Sequence, residues 1–547
     1  MYVREAIGQV LHQLGVRTAF GVVGSANFHY TNALITAGVK FVAARHEGGA
    51  AVMADAYARL TGEVSVLSVH QGCGYTNSLT GVAEAAKSGT PLLVLAPEAT
   101  EPTSNFFVEQ GEIARALGAV PLRVRSAATA VADVTRAYEV CTQQRRTVVL
   151  NVPIDIQDQE LPDQPIPTDR RVVVGPTSPA DAEVERFATL LEEARRPVFV
   201  AGRGARSPEA RAALLALAEQ AGAVLATSAV ARGLFNGEPW NIDVAGGFST
   251  PLAAELISGA DLIVGWGCGL NMWTMRHGRL IGADCAVVQV DIDRTAIGRH
   301  RQVDLGLWGD VAETARVVTT SLAGRGALRA GYRTADVRAR IERQGRWEQV
   351  PFDDESADGR IDPRTLTVEI NRILPRERTV SVDSGNFMGY PSMYLDVPDE
   401  NGFCFTQAFQ SVGLGLSTAI GAALARPDRL PVAACGDGGF LMGIAELETV
   451  GRLGLPMLVI VYNDAMYGAE VHHFADSGAP LGAVRFPDSD LAAIARGYGY
   501  QALTVTRRED LAPLNDWVDD PGRCPMVIDA KVTTNSGSWW LAEAFGH

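Results

Sequence analysis

Short, wholly apolar runs alternate along this chain with longer segments of helical periodicity. VKFVAA, VSVLSV, PLLVLAP and TVVLNVP fall in the first third. PVFVAG, AVLATSA, DLIVGWG and AVVQVDI follow in the middle, and RTVSVD, LPVAACGDG, PMLVIVYND and PMVIDAKV in the last. Strands that are apolar throughout and separated by helices predict parallel sheets covered on both faces. The opening residues, MYVREAIGQVLHQLGV, bring Val3, Ile7, Val10, Leu11 and Leu14 to helical spacing and predict an amphipathic helix. Two segments break the alternation and read as linkers: a Pro- and Asp-rich one near 155–182 and a charged one near 325–362. The expected class is α/β, with three doubly wound parallel-sheet domains over roughly 1–160, 180–330 and 360–547.

Composition narrows the function without naming it. A length of 547 residues gives room for several cores, and 47% hydrophobic with 20% charged residues is the balance of a soluble globular chain. A formal charge of −15 argues against nucleic-acid or anionic-membrane partners, which need a basic surface, but leaves small anionic substrates open. No run of about twenty apolar residues is present, so no membrane span is expected. The N-terminus lacks the apolar core of a signal peptide. Cys73, Cys141, Cys268, Cys285, Cys404, Cys435 and Cys524 are scattered and form no CxxC pair, which fits reduced thiols in a cytoplasm.

The sharpest local signal is GDGGF at 436–440, directly after the apolar run PVAAC. Asp464, in VYNDAMYG, lies twenty-seven positions beyond Asp437 and closes the next apolar run. A bound diphosphate needs backbone N–H groups and a bridging cation. Gly436, Gly438 and Gly439 let the main chain approach it closely, while Asp437 and Asp464 offer hard oxygen ligands from two strand ends. An isolated GDGG is more often a Gly-rich turn opening a helix; the second acidic strand end takes weight from that reading.

On these residues the sequence resembles the family of thiamine diphosphate enzymes that includes acetolactate synthase, benzoylformate decarboxylase, pyruvate decarboxylase and 2-hydroxyacyl-CoA lyase. The resemblance implies a Mg²⁺ site at Asp437, Asp464 and the main chain of Met466, with Asp464 standing where the family has Asn. It extends the diphosphate contacts to Tyr467 and Gly468. RHEGGAAVMADAYARLTG at 45–62 looks like the family's cofactor-activating segment, with Glu47 as the acid that hydrogen-bonds the aminopyrimidine. SVHQGCGYTNSLTGVAEAAKSGTPLLVLA at 68–96 looks like the next block, where Gln71-Gly72-Cys73-Gly74 departs from the usual GPG. FTQAFQSVGLGLSTAIGAALA at 405–425 resembles the stretch that holds the cofactor bent, with Val412 as the wedge between its rings and Gln410 as a backbone contact. Ser384, in SVDSGN, is either a diphosphate contact or part of a polar turn. The resemblance covers nearly the whole chain. It implies a homodimer or homotetramer, because in relatives the first domain of one subunit and the third of its partner share each cofactor.

The reaction is less sharply drawn. Ser25 and His70 fall where benzoylformate decarboxylase handles the substrate carboxylate and protons, though His70 also reads as a structural histidine at a strand end. Glu470 aligns by count with a proton-transfer acid of pyruvate decarboxylase, against the reading of a solvated helix face. Glu109-Gln110 lies where acetolactate synthases and acyl-CoA lyases place a pocket glutamine. GWGCGLNMWTMRHG at 265–278 resembles a stretch of oxalyl-CoA decarboxylase and 2-hydroxyacyl-CoA lyase, with Arg276 and Arg279 as candidates for a CoA groove. The GARFDDR-like stretch of flavin-binding relatives is missing, so FAD is not expected. The C-terminal NSGSWWLAEAFGH reads as a lid or as a segment docked on its domain. The expected activity is an acetolactate-synthase-like decarboxylase or carboligase of 2-oxo acids. The alternatives are a 2-hydroxyacyl-CoA lyase and a non-catalytic cofactor-binding subunit.

Overall fold

The computed structural model describes residues 1–163, 165–166, 175–326, 330–534 and 537–541. Parts of both linker segments and most of NSGSWWLAEAFGH lie outside the described residues. The opening segment forms helix Val3–Leu14 and buries all five of its periodic apolar residues.

Three six-stranded sheets follow one another, every named strand pair parallel. The first contains β1 (Thr18–Gly21), β2 (Lys40–Ala43), β3 (Ser65–Ser68), β4 (Leu92–Glu98), β5 (Val120–Arg123) and β6 (Val148–Pro153) in the order β2-β1-β3-β4-β6-β5. The second contains β7 (Pro197–Ala201), β8 (Val224–Thr227), β9 (Asn241–Val244), β10 (Leu262–Trp266), β11 (Ala286–Asp291) and β12 (Leu305–Trp308), ordered β12-β11-β10-β7-β8-β9. The third contains β13 (Arg378–Val382), β14 (Phe403–Phe405), β15 (Leu430–Gly436), β16 (Leu458–Asn463), β17 (Gln501–Val505) and β18 (Met526–Lys531), ordered β14-β13-β15-β16-β18-β17. The first and third sheets thus repeat one topology, while the middle sheet has the order of a dinucleotide-binding fold. The charged segment near 325–362 is not wholly irregular: Thr334 caps a helix, Ala335–Gln344, by accepting from the Val337 N–H.

The outer domains pack directly on each other. Helix Glu47–Thr61 of the first crosses helix Gly415–Ala425 of the third at a spacing that only glycine permits. A Cβ on Gly421 would stand 2.2 Å from the Met53 carbonyl oxygen and 2.9 Å from the Ala56 Cβ. Met53, Ala419 and Ile420 are fully buried in a core that the two domains share. The middle domain docks through main-chain contacts: Arg232 and Asn236 donate to the carbonyls of Leu395 (2.8 Å) and Val397 (2.7 Å). Among the described residues no helix is long and apolar enough to cross a membrane.

The helix crossing gives a direct prediction. Gly421→Val should lower the unfolding free energy by roughly 1–3 kcal/mol through overpacking. A urea midpoint equal to that of the native chain would contradict the crossing.

Candidate active site

The site in the third domain follows from strand register. β15 and β16 are neighbours, with Gly436 opposite Tyr462, so the chain leaves both strands side by side and delivers Asp437 next to Asp464. Burial holds both carboxyls above the usual carboxylate range, and for Asp464 the facing charge of Asp437 adds to the effect. Asp464 Oδ1 accepts the Met466 N–H at 3.2 Å across Ala465, which has a φ of 56°. Ala465 and Gln410 (61°) are both non-glycine residues at positive φ, so the site carries local backbone strain.

Side-chain-free surface surrounds the acid pair. A Cβ at Gly468 would stand 2.6 Å from Asp464 Oδ2, one at Gly438 2.8 Å from the Tyr467 ring, and one at Gly439 2.4 Å from Asp383 Oδ2. The donors are hard oxygens and the cradle is lined by main chain, which suits Mg²⁺ and a diphosphate. Among the described residues no three His, Cys, Asp or Glu side chains converge on one metal position, so main-chain and diphosphate oxygens would complete the coordination. Gln410, Val412, Ser384, Gly436, Tyr467 and Glu470 line the same cavity of about 1730 Å³ as the acid pair. Val412 is 40% exposed and projects from its loop. Glu470 is exposed in the first turn of helix Gly468–Phe474.

The sequence did not single out Asp383, the organising group beneath that loop. It is fully buried after β13 and accepts the N–H groups of Ser384 (2.8 Å), Gly413 (3.0 Å) and Leu414 (3.2 Å). Burial pushes its carboxyl up to about 6 against those bonds. Its only sequence mark is an acid closing an apolar run.

The first domain carries a second cluster. Glu47 opens its helix, and Asn77 Nδ2 donates to Glu47 Oε2 at 3.1 Å. Gly74 separates Glu47 from His70: a Cβ there would lie 3.3 Å from Glu47 Oε1 and 2.9 Å from His70 Cβ. His70 Nδ1 lies 2.9 Å from the Gln71 carbonyl, which puts a proton on Nδ1, and Nε2 lies 3.4 Å from Ser25 Oγ. Gln110 is buried with both ends engaged: Oε1 accepts the Gly72 N–H at 3.1 Å and Nε2 donates to Asn151 at 2.9 Å. It braces the Gly72 turn. Glu446, unmarked in the sequence, accepts the N–H groups of Arg45 and His46, both at 3.1 Å, and so fixes the start of the Glu47 helix from the third domain.

The two clusters do not meet within one chain. Ser25, Glu47, His70 and Gln110 are all outside the cavity that holds Asp437 and Asp464. That cavity runs instead to the middle domain, where Arg203 lies after β7. Burial pushes the Arg203 guanidinium down to about 9, and the positive charges of Arg59 and Arg145 reinforce this. Arg276 is occupied otherwise, donating to the Gly246 carbonyl (3.0 Å) and Ser249 Oγ (2.8 Å) and stacking on Trp539. Arg279 does not line the cavity. Of the C-terminal segment, Trp540 is buried edge-on against Tyr390 at 4.8 Å, and Ser538 donates to Asn386 beside the cavity.

Three parallel-sheet domains with paired acids at neighbouring strand ends define a cofactor-dependent α/β enzyme. The chain matches three family models: the thiamine pyrophosphate enzyme N-terminal TPP binding domain over residues 1–116, the central domain over 184–318 and the C-terminal TPP binding domain over 383–530. It belongs to the thiamine pyrophosphate enzyme family. It is 31% identical to the sulfoacetaldehyde acetyltransferase of Rhodobacter capsulatus, over 93% of this chain and 90% of that one. It is 28% identical to the acetolactate synthase large subunit of Parasynechococcus marenigrum, over 96% of this chain and 87% of the relative. A sulfoacetaldehyde acetyltransferase of Castellaniella defragrans is 27% identical, over 93% and 89%.

Asp383 generates a pH prediction. Its folded value of about 6 exceeds the roughly 3.9 of an unfolded aspartate. The group's contribution to stability is therefore full below the unfolded value and is lost as pH rises through about 6. Asp383→Asn cannot ionise, so its urea midpoint should fall less than the native midpoint between about pH 4 and about pH 7. Identical profiles for the two proteins would contradict the assignment.

Proposed function

We propose that this chain is a Mg²⁺- and thiamine diphosphate-dependent enzyme that decarboxylates a 2-oxo acid and joins its remaining carbons to an acceptor, in the manner of acetolactate synthase. Residues 1–160 would hold the aminopyrimidine, 360–547 the diphosphate, and 180–330 would close the substrate approach. The observation that carries the reading is the division of the site. A glycine-lined acid pair stands at the ends of β15 and β16, Glu47 opens a helix of the first domain, and Ser25, Glu47, His70 and Gln110 do not line the cavity that holds Asp437 and Asp464. Two chains in a homodimer or homotetramer would bring them face to face.

When bound, the cofactor would supply a carbon nucleophile for the substrate carbonyl and an electron sink for the C–C bond. The chain's own residues supply the rest. Asp437 and Asp464, with the Met466 main chain, would hold Mg²⁺ against the diphosphate. Gly436, Gly438, Gly439, Ser384, Tyr467 and Gly468 would follow it closely. Gln410 and Val412 would set the bend of the cofactor. Glu47 would hydrogen-bond the aminopyrimidine and keep it in the tautomer that accepts a proton. His70 Nε2, with Ser25, would exchange a proton with a small substrate, and Glu470 would offer a second carboxylate from the diphosphate side.

The size of the cavity favours one further reading. About 1730 Å³ running past Arg203 towards the middle domain would admit a long anionic substrate such as a 2-hydroxyacyl-CoA thioester. Relatives named for sulfoacetaldehyde and for acetolactate make sulfoacetaldehyde as well as 2-oxo acids worth testing as substrates. A non-catalytic binding subunit is disfavoured by the retention of Glu47, Asp437 and Asp464 together.

Mass spectrometry of products tests the assignment. Protein, thiamine diphosphate and Mg²⁺ would be incubated with pyruvate, benzoylformate, branched 2-oxo acids, sulfoacetaldehyde or 2-hydroxyacyl-CoA thioesters. Acetolactate, acyloin or aldehyde from a 2-oxo acid is the expected outcome, whereas formyl-CoA would move the assignment to a lyase. Glu47→Gln should lower turnover about 10²–10⁴-fold with the cofactor still bound. Asp437→Asn should abolish Mg²⁺-dependent cofactor binding. Full activity in either variant would contradict the role of the residue replaced.

A further inference from the structure

The loop at 405–414 carries Gln410 and Val412 between two anchors, and both anchors are buried carboxylates. Downstream, Asp383 accepts from Gly413 and Leu414. Upstream the anchor comes from another domain. Glu84, in helix Leu79–Ser88, accepts the Ala408 N–H on Oε1 at 3.0 Å and the Phe409 N–H on Oε2 at 2.6 Å. Arg59 balances its charge, with Nη2 2.6 Å from Glu84 Oε1. Arg59 also pairs with Asp55 (2.9 Å) and donates to Ser88 Oγ (2.7 Å) and the Phe405 carbonyl (2.9 Å). The side chains of Glu84 and Asp55 are 0% exposed and that of Arg59 is 5% exposed.

Buried ion networks contribute little net stability, because desolvation offsets the attraction. What this one does is geometric. It presents two carboxylate oxygens to two successive main-chain N–H groups, one residue before a non-glycine residue held at positive φ. Such a conformation persists only where the surroundings over-determine it. Phe409 and Val412 are 44% and 40% exposed, so packing alone does not hold the loop.

We propose that Glu84, oriented by Arg59 and Asp55, is a positioning residue of the first domain that fixes residues 408–412 of the third, and thereby sets where Gln410 and Val412 stand. This rests on the reading that the 410–412 segment contacts the cofactor. The helix that bears Glu47 at its start carries Asp55 and Arg59 in its later turns, so one rigid element supports parts of both clusters.

Glu84→Gln keeps the side chain's shape but turns one acceptor into a donor facing a main-chain N–H. Hydrogen–deuterium exchange of the protein without cofactor would follow the peptide at 405–412, with the helix at 415–425 as internal reference. Thiamine diphosphate binding with Mg²⁺ would be measured by calorimetry on the same samples. The expected results are exchange at 405–412 faster by about tenfold, an unchanged 415–425 helix, and cofactor affinity lower by about tenfold. Glu84→Asp keeps the charge and shortens the reach; it serves if the glutamine variant does not fold, and its exchange should also rise at 405–412 alone. Unchanged exchange at 405–412 in a folded variant overturns the clamp. Faster exchange with native cofactor affinity overturns its role towards the cofactor. If the native chain itself binds no thiamine diphosphate, the reading of the 410–412 segment fails, and the exchange data decide the clamp separately.

Discussion

The close crossing of helices Glu47–Thr61 and Gly415–Ala425 is the constraint on which the rest of the molecule depends. With no side chain at Gly421, the Met53 carbonyl comes as near as 2.2 Å to where a Cβ would stand. Helices that approach this closely cannot slide or rotate without a clash, so the first and third domains form one rigid unit. That unit keeps Glu47 outside the cavity lined by Asp437 and Asp464, and the proposed pairing of two chains would bring the two together.

Buried carboxylates then fix the loops that this crossing leaves free. Glu446 holds the start of the Glu47 helix, Glu84 holds the upstream side of the 405–414 loop, and Asp383 holds its downstream side. Each is enclosed, and each directs its oxygens at main-chain N–H groups. An unpaired acid in such a place would be costly to bury, so these bonds are a condition of the fold as well as of the site. The loops around the acid pair are thereby held by groups that do not themselves line the cavity.

How much of this was legible in the sequence depends on where each element lies. The four apolar runs read in each third all correspond to strands. β5, β9, β12, β14 and β17 escaped: all are edge strands of three to five residues, too short for the pattern to stand out, and β17 buries only Val505. β1 escaped although it is interior, because four residues ending in glycine carry too little pattern. Asp437 and Asp464 were legible because each closes an apolar run, and adjacency of those runs follows from the parallel sheet. Glu84, Asp383 and Glu446 were not. In sequence a buried acid looks like a solvated one, and Glu446 finds its partners some 400 positions away. Gln110 and Arg276 were marked as candidate pocket groups but are occupied by internal hydrogen bonds, which only the packing reveals.

That each active site takes Glu47 from one chain and Asp437 from another is tested most directly by subunit mixing. Glu47→Gln and Asp437→Asn chains, each inactive alone, would be co-expressed with different tags and assayed after tandem purification of the hybrids. In a hybrid dimer one site receives both intact residues and the other receives neither. The expected result is therefore recovered activity, about half that of the native dimer per hybrid. Hybrids that form but stay as inactive as their parents would mean that both residues act within one chain, and would contradict the division of the site between two subunits.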